Sequence, residues 1–185
     1  MNELEIKLID SLARINFIFQ NEELYTECIK NFEGFSILGK NMGPFEKGKK
    51  YKMKLFEAAP LITNNVLMVS ANEKCDNFDV QRYAIAERDD IKLHKMEHNL
   101  FLNKVKEFKK FMEKSVKEGE KPPDFLKNYD SYLLNIIESR LLKLLRLSKS
   151  EISLNEEQRL TKSEYILYKQ ISKLIKTWKG FFLAT

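Results

Sequence analysis

The longest regular alternation of apolar and polar positions runs from Asp124 to Leu147. At the helical period, Leu126, Tyr129, Leu133, Ile136, Ile137, Leu144 and Leu147 share one stripe. Tyr132, Leu134, Leu141 and Leu145 flank it, and only a narrow wedge of Asn128, Ser131, Asn135, Glu138 and Arg146 is polar. A helix apolar over most of its circumference predicts cover on several sides, so the other helices are expected to wrap this one. Arg140 falls near the centre of the stripe, where an unpaired guanidinium would cost several kcal/mol. It either snorkels at a domain edge or pairs with Glu87 or Glu164 from neighbouring helices. Charged residues are seldom buried without a partner, which favours the pair.

Ahead of this helix the pattern changes twice. Leu4, Leu8 and Leu12 fit a short helix, although Leu4, Ile6 and Leu8 also alternate as a strand would. Ile15–Phe19 is rich in β-formers and reads as a strand. Asn21 is placed to cap a helix through Leu24, Cys28 and Ile29. Phe35–Leu38 reads as a strand, followed by a long turn punctuated by Gly39, Gly43, Pro44 and Gly48. Tyr51, Met53 and Leu55 alternate with lysines as a third strand, Pro60 marks a break or a helix start, and Val66–Val69 is a short buried strand.

From residue 79 onward the chain reads as helical. Asn77 or Asp79 caps a helix carrying Val80, Tyr83, Ala84 and Ile91, and a second helix carries Leu93, Leu100, Phe101, Val105, Phe108, Phe111 and Met112. Glu113–Lys121 with Pro122 and Pro123 is an exposed connection. Ser153 with Glu156, and Thr161 with Glu164, have capping-box spacing; the second box opens a last helix through Tyr168, Ile171, Leu174, Ile175 and Trp178. The expectation is an α+β protein: a small N-terminal β-rich domain over 1–70, a linker over 71–78, and a larger helical bundle domain over 79–185.

Composition narrows the functional classes. The 185 residues are 43% hydrophobic and 32% charged, enough for a sizeable core. A net charge of +5 permits acidic or nucleic-acid partners without requiring them. Cys28 and Cys75 lie far apart in no metal-ligand spacing, which suits a reducing compartment. No apolar run reaches the ~18 residues of a membrane helix, and the acidic MNELEIK start is unlike a secretory signal, so a cytoplasmic protein is expected.

Three constellations carry the look of chemistry. Gly43-Pro-Phe-Glu-Lys-Gly48-Lys49 matches a phosphate loop, but Lys50 replaces the Ser or Thr hydroxyl, and a strand follows where a helix N-terminus is needed. His94-Lys-Met-Glu97-His98 has the H-x-x-E-H order of inverted zinc peptidases, without an identifiable third ligand. The lysines at 104, 106, 109, 110 and 114, and at 169, 173, 176 and 179, form basic faces that a phosphate backbone could follow, but aromatic residues are not interleaved with them. A free-standing basic nucleic-acid-binding helical module is therefore the alternative reading. No catalytic residue set, cofactor or metal is expected.

One set of motifs resembles a known family. Phe35-Ser-Ile-Leu-Gly39, the turn Met42-Gly43-Pro44-Phe45 with Gly48, and Tyr51-Lys-Met-Lys-Leu55 are similar to the small domain of GINS replication subunits. A short helix at Phe56–Asn64 and a strand at Val66–Val69 follow in the family's order. In the helical half, Asp79 to Arg88 resembles the family's linker helix, Arg140 with Lys143 its Arg-x-x-Lys, and Leu160-Thr161-x-x-Glu164 the start of its final helix. The likeness is to archaeal-type members with the small domain first. It implies a non-catalytic scaffold joining the MCM helicase to a RecJ-like or Cdc-type protein, with primase or polymerase contacts in some lineages. It further implies a two-plus-two heterotetramer with a subunit of the helix-domain-first class, weak or indirect DNA contact, no membrane, and association with the nucleoid during replication. On this view Arg140, Glu87 and Glu164 are structural, Gly43, Pro44 and Phe45 shape the turn, and Trp178, Phe181 and Phe182 either meet a partner or fold back as a tail on the chain's own core.

Overall fold

Helix α1, Glu3–Gln20, opens the chain. Its start is a capping box: the Asn2 side chain accepts from Glu5 N, and the Glu5 carboxylate takes the Asn2 N–H. The structure is a computed structural model that describes residues 2–37 and 39–183. The expected strand at Ile15–Phe19 is instead the last part of α1. Ile15 and Phe19 are one helical turn apart and both buried, so period four prevails over the β preference of the single residues. Asn21 is the C-cap of this helix and starts no other. Leu24, Thr26 and Cys28 belong to strand β1, Glu23–Cys28, whose residues alternate outward and inward.

Around β1 stand β4 (Lys50–Lys54) and β5 (Leu67–Val69), giving an antiparallel sheet of order β4-β1-β5 with Leu24 opposite Met53 and Glu27 opposite Met68. β2 (Phe35–Ile37) and β3 (Lys40–Met42) form a separate hairpin. Leu38, the end of the strand expected there, lies outside the described residues, as do Ala184 and Thr185 of the last segment. Leu55 starts α2, Leu55–Thr63, with Pro60 inside it. The strands are therefore confined to 23–69, and the leading helix α1 packs on the helical part through α4 and α7. One hydrophobic core runs without a break from Phe19, Leu24 and Met53 in the first part to Val80, Phe101 and Ile136 in the second.

A 3₁₀ turn, Ala71–Glu73, leads to α3 (Asn77–Asp89), whose cap is Asp76 in place of the expected Asn77 or Asp79. Its carboxylate accepts from the N–H groups of Phe78 and Asp79. Ile91 lies beyond this helix and is exposed. α4, Phe101–Lys117, is shorter at its start than expected: Leu93 and Leu100 belong to the irregular stretch 90–100, although both are buried. Its last turns take up Glu113–Lys117, so the open connection shrinks to 118–122. α5, Pro123–Leu147, is the expected central helix, packed on α3, α4 and α7. α6 (Leu154–Glu157) and α7 (Lys162–Leu183) complete the described elements. A second cluster of Leu93, Leu144, Leu160 and Tyr168 holds α5 and α7 together.

Wrapping of α5 differs from the expectation. Tyr129, Ile136, Arg140 and Leu144 are buried, but Leu134, Ile137, Leu141, Leu142 and Leu145 stay between 39 and 60% exposed. The helix is sheathed along one side and open along another. No helix of the described residues is long and apolar enough to cross a membrane.

Candidate functional site

Arg140 is fully buried, and each of its five guanidinium N–H groups finds an acceptor. Nε donates to Glu164 Oε1 at 2.5 Å and Nη2 to Glu164 Oε2 at 2.8 Å, a fork that matches the carboxylate plane. Nη1 donates to Glu87 Oε2 at 2.7 Å and to the His94 carbonyl at 2.9 Å, and Nη2 also reaches the Arg159 carbonyl at 2.9 Å. Both candidate carboxylates therefore close on the same cation, and the snorkelling alternative is excluded. Lys143 adds a second cation. Its Nζ donates to Glu87 Oε1 at 2.6 Å, to the Glu87 carbonyl, and to the Lys92 carbonyl at 3.1 Å. Two cations thus face two carboxylates, so the cluster is neutral as a unit. Burial pulls the Arg140 pKa down, but the hydrogen bond and charge of Glu164, then those of Glu87, outweigh it and leave the pKa above its ordinary value.

Glu164 also completes the capping box of α7. Its Oε2 accepts the Thr161 N–H at 2.8 Å, and the Thr161 hydroxyl faces the Glu164 N–H. The arrangement fastens α3, α5, the start of α7 and the irregular stretches before α4 and α7. Arg140, Glu87 and Glu164 are closed off from solvent, while Lys143 and Arg159 reach a small pocket beside Lys92 and Leu147.

The glycine turn is equally inward-looking. Gly43 has φ +111, and a Cβ there would sit 2.6 Å from the Gly34 Cα, so two glycines allow two backbone segments to touch. Phe45 is buried beside Tyr51, with ring centroids 5.0 Å apart, while Pro44 is exposed on the turn. The amides that a phosphate loop would aim at an anion are already used. Phe45 N donates to the Phe32 carbonyl, Glu46 N to Tyr51 Oη, Lys47 N to Asn31 Oδ1, Gly48 N to the Cys28 carbonyl and Lys49 N to the Glu46 carbonyl. β4 then follows in place of a helix.

His94 and His98 do not share a helix face, because the stretch 90–100 is irregular. His94 Nδ1 lies 3.3 Å from Asp90, and His98 accepts the Leu100 N–H at Nδ1 while its Nε2 faces Glu22 at 3.5 Å. Glu97 serves Tyr83 and Lys104. The three residues of the motif have three separate sets of partners, and the described residues contain no group of three metal-ligating side chains. Among the described residues, four of the five α4 lysines of the expected basic face are likewise committed, Lys106 being the exception. Lys104 pairs with Glu97, Lys109 with Asp130, Lys110 with Glu107 and Lys114 with Glu118, so this face presents much less free charge than its composition implied.

What remains open is apolar. Leu134, Ile137, Leu141 and Leu145 recur at i, i+3, i+7 and i+11, a stripe roughly 100° round α5 from its buried side. The far end of α7 adds Trp178, Phe181, Phe182 and Leu183, exposed by 65 to 79%. These residues do not fold back on the chain's own core. In the sequence Leu134, Leu141 and Leu145 flank the main stripe, and the width of the apolar circumference hides that they form a second, separate face. The Lys92, His94 and Arg159 carbonyls carried no signal at all, since any residue type can supply a carbonyl.

Comparison with known proteins adds no family: no protein-family model and no curated protein matches the chain.

Proposed function

We propose that this protein is a non-catalytic scaffold subunit of a GINS complex, linking the MCM helicase and a RecJ-like or Cdc-type protein in DNA replication. The observation that carries the reading is the open stripe of Leu134, Ile137, Leu141 and Leu145 on the longest helix. Contiguous apolar surface on a central element is unfavourable in water, and the free energy falls when another polypeptide covers it. Further support comes from the order of the Gly43-Pro44-Phe45 turn, β4, α2 and β5, which follows that of the small GINS domain, and from Arg140 with Lys143 meeting the carboxylates of α3 and α7. Arg140, Glu87 and Glu164 then act as the brace that keeps the open side of α5 flat enough to be covered.

Co-expression with a GINS subunit of the helix-domain-first class tests the proposal. The expected outcome is a stoichiometric complex on sizing, disrupted by Leu141→Asp with Ile137→Asp. Two species that elute separately, each at its own monomer mass, would overturn it.

A further inference from the structure

We infer that the distal part of α7, from Leu174 to Leu183, is a docking helix that sets an apolar ridge into a groove of the partner subunit whose rim is acidic. This rests on the scaffold reading above and adds which element is gripped, and by what chemistry. Over about 15 Å this segment projects with every residue exposed except the half-buried Ile175. It meets its own chain through lysines: Lys176 Nζ reaches Glu151 at 3.2 Å and Lys179 Nζ the Lys149 carbonyl at 3.3 Å. Lys176 and Lys179 are thus spent on the protein itself, and the apolar side is left without cover.

The uncovered side has the spacing of a helix that binds in a groove. Leu174, Trp178 and Phe181 stand at i, i+4 and i+7, the anchor pattern by which one helical face fills an apolar channel. Phe182 packs on both neighbours, 5.1 Å from the ring centroid of Trp178 and 5.1 Å from that of Phe181, so the ridge is already assembled. Large aromatic side chains fixed before association lose little rotamer freedom on binding and dominate the energy of such interfaces.

Charge identifies the rim. No Asp or Glu follows Glu164 in the sequence, while Lys169, Lys173, Lys176 and Lys179 all do. Among the described residues, Lys149, Lys169 and Lys173 have no carboxylate partner. A second copy of this chain would bring like charges together, which disfavours it as the occupant. A single-stranded nucleic acid needs stacking rings and cations on one side, whereas here they occupy different sides of the helix. A protein groove with apolar walls and carboxylates along its edge satisfies both sides at once.

Trp178 is the only tryptophan, so its fluorescence reads this helix directly in the full chain. Alone, the protein should show solvent-exposed emission, quenched by iodide and independent of protein concentration. Adding the helix-domain-first subunit should shift the emission to the blue and remove the quenching. Trp178→Glu, checked for fold by far-UV circular dichroism, should weaken the complex by more than about thirtyfold. Lys169→Glu with Lys173→Glu should weaken it by roughly tenfold and flatten its salt dependence. A complex that forms with Trp178 emission and affinity unmoved would overturn the docking helix while leaving the scaffold reading intact. Blue emission in the isolated chain, rising with concentration, would make a second copy the occupant and overturn it as well. Failure of any complex to form would sink the scaffold reading and this inference with it.

Discussion

Replacing Arg140 by alanine is the sharpest test of how the helical half is held. The side chain is 1% exposed and its five donors serve two carboxylates and two carbonyls. Breaking a buried pair by removing one partner costs about 3–5 kcal/mol, because the other charge is left in low dielectric. Glu87 would keep Lys143 and the His94 N–H, which places the electrostatic loss near the lower bound and mainly on Glu164. The His94 and Arg159 carbonyls would lose their donor, adding about 1 kcal/mol once water partly refills the space. The expected destabilisation is therefore about 4 kcal/mol, a large share of the ~5–15 kcal/mol typical of a folded protein. Urea denaturation followed by far-UV circular dichroism measures it. Adding Glu164→Gln to Arg140→Ala should recover about 1–2 kcal/mol by removing the orphaned charge. Arg140→Lys should still lose about 2 kcal/mol, since three donors on a point charge cannot replace a planar fork of five. A loss below about 1 kcal/mol for Arg140→Ala would refute the reasoning, because it would require the carboxylates to find water at once.

Gly43→Ala should destabilise by about 2 kcal/mol in the same assay, since φ is positive and the new Cβ meets the Gly34 backbone at 2.6 Å; an unchanged midpoint would contradict the close approach. Glu107 supplies a pH dependence. Burial works to raise its carboxyl pKa, but hydrogen bonds from Lys110 and Asn16 and the charge of Lys110 hold it below the ordinary 4.5. Its contribution is thus present above 4.5 and lost as pH falls through the lower folded value, so Glu107→Gln should lower neutral-pH stability and flatten the acid limb. Both cysteines are free and buried, and burial pushes the Cys75 thiol up to about 12, so Ellman's reagent at pH 8 should react with neither until the protein unfolds. Rapid labelling of native protein would contradict that burial.

Legibility in the sequence followed the strength of local signals. α5 was readable to within a residue at its start because twenty-five residues repeat one period and Pro122 and Pro123 mark the entry. That Arg140 pairs with Glu87 or Glu164 was also readable, since a charge inside an apolar stripe has few physical solutions, whereas the closure of both carboxylates on it was not. The Thr161–Glu164 box announced the start of α7 through its spacing. β1 was misread because Leu24 and Cys28 are four apart, which suits a helical face and a strand face equally. Only the partner strands β4 and β5, distant in sequence, decide between the two. The end of α1 was misread for the opposite reason: its β-formers were weighed singly, whereas α4 and α7 reward the spacing of Ile15 and Phe19. The wide apolar circumference signals surface left over for another polypeptide, but which residues of α5 stay open is not legible, because hydropathy measures aversion to water and carries no record of which chain removes it.

The five-donor knot at Arg140 also shapes how this half of the molecule comes apart. One guanidinium clasps two helices and two irregular connections, and none of the four can slip free without abandoning the others. Loosening here is all or nothing: the amides of His94 and Thr161, which lie in irregular backbone but donate to the Glu87 and Glu164 carboxylates that Arg140 holds, should resist exchange until the entire helical half lets go.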